Sequence, residues 1–248
     1  MMRIKATVAY DGTQFSGYQS QPKMRTVQSD IDKALRKMHK DDSIHSVASG
    51  RTDAGVHAWG QVIHFDTPLN LTEDSWLMAL NVLLPKDIRI LSAQPVSEDF
   101  HARYSAKGKT YQYRWTRKPI QSPFDRNYSV HLGKWNPELK RMQEGAVHLL
   151  GKHDFTSFCS SQTATSNKVR TIRMLEIEEK GDDLILTIEG DGFLYNMVRT
   201  IAGVLYAVGI GWDEPQEVAE ILEARDRKRA GKTAPAHGLY LMSVTYGE

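Results

Sequence analysis

The chain has 248 residues, and its 40% hydrophobic and 25% charged residues are ordinary for a globular protein. Its mean hydropathy is −0.47 and it contains no run of about 18 apolar residues, which excludes a transmembrane helix from the prediction. The single cysteine, Cys159, excludes an intrachain disulfide and a four-cysteine zinc site. Because residues 1–10 also lack a signal-peptide core, we expect a cytoplasmic protein with no membrane partner.

The first half of the chain alternates strand and helix signals. Apolar residues recur at every second position from Ile4 to Val8 and at helical spacing from Val27 onward. Thr72 is a helix N-cap candidate, and Pro85 stops the helix that follows it. The pattern predicts, in chain order, a strand at 3–10, a helix at 27–39, strands at 43–47 and 60–65, a helix from 72 to Pro85, and a strand at 88–93.

The second half repeats the same order with insertions. Asn136 and Pro137 are typical of a helix start and Gly151 of a helix end, while Gly181 marks a hairpin turn. The predicted elements are a strand at 109–117, a helix at 136–151, strands at 169–178 and 184–189, helices at 193–208 and 215–224, and a strand at 239–246.

Both halves therefore show the order β-α-β-β-α-β, which is typical of a ferredoxin-like unit. We predict an α+β protein with two ferredoxin-like halves, residues 1–105 and 106–248. The simplest architecture has antiparallel sheets that flank a central basic cleft.

The charge distribution is more informative than the net charge of +2. Residues 101–118 contain six basic residues and no acid, and residues 225–232 contain five basic residues against Asp226. One such run is commonly a solvated surface, but two runs on a nearly neutral chain favour a polyanionic partner.

The most unusual stretch of the sequence is the segment at 48–58, between two predicted strands. Gly50 and Gly55 bracket Arg51, Thr52 and Asp53, so the backbone there can adopt conformations that a Cβ forbids. A carboxylate and a guanidinium two residues apart in such a loop can be presented together to a substrate. The spacing alone is also compatible with an ordinary turn at Asp53 and a solvated Arg51.

Other chemistries find less support in the residues. His57 and His64 are seven positions apart without an acidic pattern, so we expect no metal site. Cys159 lies among aromatic residues, which favours a buried thiol over a nucleophile. The sequence 190–192 (GDG) lacks the third glycine of a dinucleotide fingerprint. These observations favour a carboxylate that works without a cofactor.

Two further segments offer side chains to such a site. Tyr111 lies near the start of its predicted strand, where a ring can face a cleft and stack on a base, whereas Tyr113 and Trp115 are expected in the core. Arg199 lies beside a predicted apolar helix face, so its guanidinium either reaches solvent or pairs with a buried acid.

Seven motifs in order along the chain resemble the TruA-type tRNA pseudouridine synthases. They are 10–19 (YDGTQFSGYQ), 50–58 (GRTDAGVHA), 100–103 (FHAR), 109–114 (KTYQYR), 153–155 (HDF), 193–199 (FLYNMVR) and 238–241 (GLYL). Together they are distributed along essentially the whole chain, from residue 10 to residue 241. Tyr104 stands where the family more usually has phenylalanine.

The resemblance implies conversion of uridine to pseudouridine in the anticodon stem-loop of tRNA, at positions 38, 39 and 40, without cofactor or metal. By motif, Asp53 matches the catalytic aspartate and Arg51 the arginine that helps take the base out of its stack. Tyr111 matches the tyrosine that lines the uracil site, and Arg199 the arginine that pairs with the aspartate. The resemblance also implies a homodimer in which each chain folds as two facing ferredoxin-like halves.

Two other functions remain open at this stage. A non-catalytic protein that binds structured RNA, or a tRNA-folding chaperone, could use the same cleft. A nucleoside hydrolase would need a second carboxylate near Asp53 and would release free uracil. The residues also leave open whether Asp53 attacks the ribose, attacks the uracil ring or takes a proton.

Overall fold

A computed structural model describes residues 1–163 and 165–247 of the chain. Mixed helices and a largely antiparallel set of strands confirm the predicted α+β class. The chain forms two compact units, of which the first holds Met1–Lys107 together with the chain from Tyr240 onward and the second holds Gly108–Leu239. The described helices are all too short or too polar to cross a membrane.

The first unit has the predicted β-α-β-β-α-β order. Its elements are β1 (Met2–Tyr10), α1 (Val27–His39), β2 (Val47–Ala48), β3 (His57–Thr67), α2 (Glu73–Leu83) and β4 (Ile88–Val96). Strand β1 lies between β4 and β3, β2 pairs with the other edge of β3, and all three pairings are antiparallel. This is the ferredoxin-like arrangement expected for this half.

Local signals explain where the helices of this unit begin. The Thr26 hydroxyl accepts the N–H of Ser29 at the start of α1, and the Thr72 hydroxyl accepts the N–H of Ser75 at the start of α2. Each bond satisfies one of the N–H groups that a helix start leaves without a partner. The predicted boundaries of α1 are therefore confirmed, as is the predicted N-cap of α2.

The predicted strand at 43–47 is wrong in position, because β2 spans only Val47–Ala48. The N–H of Ser46 donates to the Asp32 carboxylate at 2.8 Å, and the N–H of Ser43 donates to Asp41 at 2.8 Å. These backbone groups are satisfied by side chains instead of a neighbouring strand, so the ladder begins later.

The second unit carries an antiparallel sheet in the order β5-β9-β8-β7. Its elements are β5 (Ala106–Thr116), β6 (Val130–His131), α3 (Leu139–Val147), β7 (Gly151–Asp154), β8 (Val169–Lys180), β9 (Asp183–Gly190), α4 (Met197–Gly209) and α5 (Glu217–Ala224). Short β6 pairs parallel with the end of β5. The last strand, β10 (Leu239–Tyr246), belongs to the first unit from Tyr240 onward, and there Tyr240 and Leu241 pair parallel with β3.

The predicted starts of α3 and α4 are wrong, and α5 begins two residues after the predicted start at Pro215. Helix α3 begins at Leu139, because Glu138 is extended and its N–H donates to the carbonyl oxygen of Gly209 at 2.8 Å. Helix α4 begins at Met197, because Asn196 has the left-handed backbone angle φ of 64°. A helix cannot continue through a left-handed residue. The helix predicted at 193–208 thus begins four residues after its predicted start.

Three expectations about the core are confirmed. Tyr113 is fully buried, Trp115 is 2% exposed and Cys159 is 1% exposed. The domain limits at 1–105 and 106–248 and the basic cleft stay predictions.

Candidate functional site

The loop between β2 and β3 is fixed at its start by one buried side chain. The Gln61 side-chain carbonyl accepts the Ser49 hydroxyl at 2.7 Å, and its amide donates to the Gly50 carbonyl at 3.0 Å. The N–H of Ser49 also donates to the carbonyl of Val62 at 2.8 Å. Gln61 is fully buried, so the backbone that leads into Arg51 and Asp53 has a defined position.

The end of the loop is a tight turn that begins at Asp53. The N–H of Val56 donates to the Asp53 carbonyl at 3.1 Å, and Gly55 within the turn has a φ of 79°. A residue with a Cβ pays a steric cost at this φ, so glycine is the residue that the turn favours. The prediction that glycine allows a backbone conformation unfavourable to other residues is thus confirmed at Gly55.

Thr52 anchors the centre of the loop. Its hydroxyl lies 2.7 Å from the Tyr10 hydroxyl, and the Thr52 side chain is buried. Burial raises the pKa of Tyr10 to about 12, so its hydroxyl keeps its proton at neutral pH. On either side of Thr52, Arg51 is exposed and Asp53 is partly exposed. The loop therefore turns its middle residue inward and the two candidate functional residues toward its surface.

The segment 11–18 contacts this loop and supports its backbone, a role that the sequence did not predict. The N–H of Tyr18 donates to the Thr52 carbonyl at 3.0 Å. A Cβ on Gly17, whose φ is 94°, would lie 3.0 Å from the same carbonyl oxygen, and a Cβ on Gly12 would lie 2.0 Å from the Val56 carbonyl oxygen. Glycine permits both approaches, and the signal in the sequence was the pair of glycines in the motif at 10–19.

His57 joins the loop to the same supporting segment. Its Nδ1 atom accepts the N–H of Gly12 at 3.0 Å and lies 3.2 Å from a carboxylate oxygen of Asp11. Its ring stacks on the ring of Tyr240 with centroids 4.8 Å apart. Because Nδ1 accepts this bond, His57 is a structural support of the loop, which sequence spacing did not reveal.

Tyr111 lies on β5 of the second unit. Its pairing partner on β9 is Ile188, it is 8% exposed, and its ring contacts the edge of Phe193 with centroids 5.2 Å apart. The expectation that Tyr111 is near the start of its strand is wrong, because β5 begins at Ala106. Its ring is packed at mid-strand.

Arg199 lies in the first turn of α4, where its guanidinium is held by two oxygen acceptors. Nε donates to the Ala234 carbonyl at 2.9 Å, and Nη1 donates to the Asn196 side-chain oxygen at 3.1 Å. The backbone N–H of Ala234 donates in turn to the Arg199 carbonyl at 3.0 Å. A Cβ on Gly203 would lie 2.2 Å from the Lys232 carbonyl oxygen, so glycine allows the segment from Lys232 to Ala234 to run close along α4.

The four predicted site residues thus lie in both units, two in each. Arg51 and Asp53 share one loop of the first unit, and Tyr111 and Arg199 belong to the second unit. Their roles stay predictions, including the pairing of Arg199 with Asp53. Residues 1–163 and 165–247 contain no group of three or more histidine, cysteine or carboxylate side chains arranged to hold a metal ion.

The sequence model of the family described as tRNA pseudouridine synthase matches residues 6–105 and 146–247 of the chain. The chain belongs to the tRNA pseudouridine synthase family. This family of isomerases is the one that the seven motifs indicated, so the predicted resemblance is confirmed.

Curated relatives match nearly end to end. The chain is 51% identical to tRNA pseudouridine synthase A of Lysinibacillus sphaericus over 99% of this chain and 100% of the relative. It is 53% identical to the protein of that name from Bacillus pumilus and 52% identical to that from Bacillus subtilis, with 99% of both chains covered in each case. Among solved structures, a chain of a Cbf5-Nop10-Gar1 complex matches with a TM-score of 0.37 at 12% identity, covering 82% of this chain and 54% of that one.

Proposed function

We propose that this member of the tRNA pseudouridine synthase family converts uridine to pseudouridine in the anticodon stem-loop of tRNA, at positions 38, 39 and 40. The relatives named above act on tRNA according to their names, and the motifs that carry the resemblance span the chain. The anticodon stem-loop and its three positions follow from that resemblance.

We assign the roles residue by residue. Asp53 is the catalytic carboxylate, Arg51 helps to hold the target base outside its stack, Tyr111 lines the uracil site, and Arg199 keeps Asp53 ionised. Taking a base out of a stem costs a few kcal/mol, about the scale that phosphate contacts and a fixed guanidinium can offset.

The reaction is an isomerisation, so its atoms balance without a co-reactant. The N1–C1′ bond of uridine breaks, the uracil turns, and a C5–C1′ bond forms in its place. The proton on C5 leaves and N1 gains one. One carboxylate in a fixed position suits this chemistry, because it can act as a nucleophile or as a proton acceptor without any change in oxidation state.

The observation that carries the proposal is the alternation at 51–53. Thr52 is buried and bonded to Tyr10, while Arg51 and Asp53 on either side reach the surface of a loop whose backbone is held along its length. A catalytic group needs such a support, since a displacement of about 1 Å can cost a hundredfold in rate. An ordinary turn at Asp53 with a solvated Arg51, the alternative interpretation of this segment, would not require the buried contacts that Tyr10, Gln61 and Gly17 make with the loop.

The direct test replaces Asp53 with asparagine, which preserves shape and removes the charge. The proposal expects Asp53→Asn to keep its fold and its affinity for tRNA and to form no pseudouridine in uridine-containing transcripts, as read by carbodiimide labelling. Asp42→Asn, at an exposed carboxylate away from the loop, is the matched control and should retain turnover.

The outcomes separate the alternatives. Wild-type turnover by Asp53→Asn refutes the catalytic assignment. Tight tRNA binding by a wild-type protein that never forms pseudouridine favours the RNA-binding or chaperone function. Release of free uracil, detected by chromatography, favours a nucleoside hydrolase. Transcripts with a single uridine at position 38, 39 or 40 test the proposed positions one at a time.

We further propose a homodimer, as the resemblance implies, and a location in the cytoplasm, which the composition of the chain favours. Sedimentation equilibrium at several protein concentrations tests the dimer, and a single species at the mass of one 28.1 kDa chain would contradict it. Fractionation of cells with an antibody to the chain tests the location.

A further inference from the structure

The turn at 100–105, which follows β4, is held by the side chains of His64 and Tyr246, although the candidate site does not use it. Ala102 is fully buried at its centre. Its N–H donates to Nδ1 of His64 at 3.1 Å, and its carbonyl accepts the Tyr246 hydroxyl at 2.8 Å. The Ser105 N–H donates to the His101 carbonyl at 2.9 Å, which closes the turn. Such a turn has little freedom to move.

The same turn fixes an exposed aromatic ring. Nδ1 of His101 accepts the N–H groups of Arg103 and Tyr104 at 3.1 and 3.2 Å. The Tyr104 ring lies against the His101 ring, with centroids 4.3 Å apart and an angle of 34° between the planes. Even so, Tyr104 is 75% exposed. One face of the ring is supported while most of the side chain remains open to solvent.

One guanidinium lies near this ring, and a second cation follows it in the sequence. The guanidinium carbon of Arg103 lies 5.8 Å from the centre of the Tyr104 ring, and both Arg103 and Lys107 are exposed. The nearest acids along the chain are Glu98 and Asp99, and both act on Arg3, whose pKa is raised mainly by its hydrogen bond to Asp66 and further by these acids. The surface around Tyr104 therefore suits a ligand that is flat and negatively charged.

We propose that Tyr104 and Arg103 form a stacking platform for one unpaired nucleotide of the RNA substrate, with the base on the tyrosine ring and its phosphate on the guanidinium. Aromatic rings bind single-stranded nucleic acid in this way because every base has a stacking face, and neighbouring cations bind the backbone. This inference rests on the proposed function, since it takes RNA as the ligand. It adds a contact outside the residues assigned to the uridine itself.

The test compares binding of two RNAs by fluorescence anisotropy, a stem-loop with unpaired nucleotides and a blunt duplex of similar charge. Tyr104→Ala should weaken stem-loop binding about tenfold and leave duplex binding unchanged. Tyr104→Phe should bind the stem-loop as the wild type does, because it keeps the ring. Phe124→Ala removes another highly exposed ring, in the second unit, and serves as the matched control.

Arg103→Ala tests the phosphate contact separately. It should lower the slope of log Kd against log salt concentration by about one. Tyr104→Ala should leave that slope unchanged, because stacking does not release counterions.

Unchanged stem-loop affinity in Tyr104→Ala overturns the platform, and so does an equal loss for both RNAs. A change of oligomeric state in Tyr104→Ala with unchanged RNA affinity would assign the surface to a second copy of the chain and also overturn it. The proposed function fails by a different measurement, absence of pseudouridine from wild-type reactions at saturating RNA. The two failures are thus distinguishable.

Discussion

The hydroxyl groups of Tyr10 and Thr52 lie 2.7 Å apart in the interior, one residue before Asp53. Tyr10 ends β1 and Thr52 lies in the middle of the loop, 42 positions further along the chain. This bond ties the candidate catalytic loop to β1, the strand that lies between β4 and β3. The backbone beside Asp53 is thus connected to a strand that is paired on both edges.

Removal of the hydrogen bond between Tyr10 and Thr52 should reduce the rate of pseudouridine formation more than the affinity for tRNA. Tyr10→Phe leaves the Thr52 hydroxyl without its phenol partner, and we expect the free energy of unfolding to fall by about 1 kcal/mol. We also expect slower pseudouridine formation at saturating tRNA, because the backbone at Asp53 gains freedom. Urea unfolding and single-turnover kinetics measure the two effects.

A double-mutant cycle gives the control for this bond. Thr52→Val removes the other partner with little change in shape, and the double variant removes both. If the bond matters, the two single losses will not add up in the double variant. Strict additivity would show that the hydroxyl pair contributes nothing to stability.

A methyl group on Gly12 should displace the loop. It would meet the Val56 carbonyl oxygen at 2.0 Å, and a backbone atom cannot move aside as a flexible side-chain end can. We expect Gly12→Ala to lower the free energy of unfolding by more than about 1 kcal/mol and to reduce turnover. Gly192→Ala is the matched control, because its nearest contacts are at ordinary distance, 3.7 Å and beyond. Equal stability of the two variants would contradict the close approach.

The elements that could be predicted from sequence are those fixed by local chemistry. Helix α1 and strand β10 have the predicted bounds, because an N-cap hydroxyl and alternating apolar residues act within a few positions. The starts of α3 and α4 could not be predicted. One depends on the distant carbonyl of Gly209 and the other on the left-handed backbone of Asn196.

The candidate site divides in the same way. The loop around Asp53 was recognisable from its two glycines and from its family motif. Its supports were not, because the contacts of Tyr10, Gln61 and His57 with the loop depend on how β1, β3 and the segment 11–18 fold together. The sequence places Tyr111 near the start of a strand because the alternating aromatic residues begin only at Tyr111, whereas β5 begins at Ala106.

Stability should fall as pH decreases from neutral, because His64 must stay uncharged. Burial, chiefly, and then the charges of Arg3 and His101 lower the pKa of His64 to about 4, although Asp66 acts in the opposite sense. Its ordinary pKa is about 6.5, so between these two values the unfolded chain binds more protons than the folded chain. The free energy of unfolding therefore increases as pH rises from about 4 to about 6.5, and it decreases as pH falls through the same range.

The variant His64→Asn isolates this contribution. Its side-chain oxygen can still accept the Ala102 N–H, but it does not titrate. We expect the difference in unfolding free energy between wild type and variant to shrink from pH 7 to pH 4.5 in urea titrations. A pH-independent difference would show that His64 does not contribute in this way.

Arg199→Lys should retain the charge and lose the geometry. The arginine reaches the Ala234 carbonyl through Nε and the Asn196 side chain through Nη1, and a lysine ammonium cannot reproduce this planar pair of contacts. If Arg199 positions the charge that keeps Asp53 ionised, turnover should fall about 10- to 100-fold while tRNA affinity changes little. Arg173→Lys, at an exposed arginine that pairs with Glu189, should behave as the wild type. Full turnover by Arg199→Lys would mean that any cation suffices there, and a loss of tRNA affinity without loss of turnover would mean that Arg199 binds RNA rather than serving the reaction.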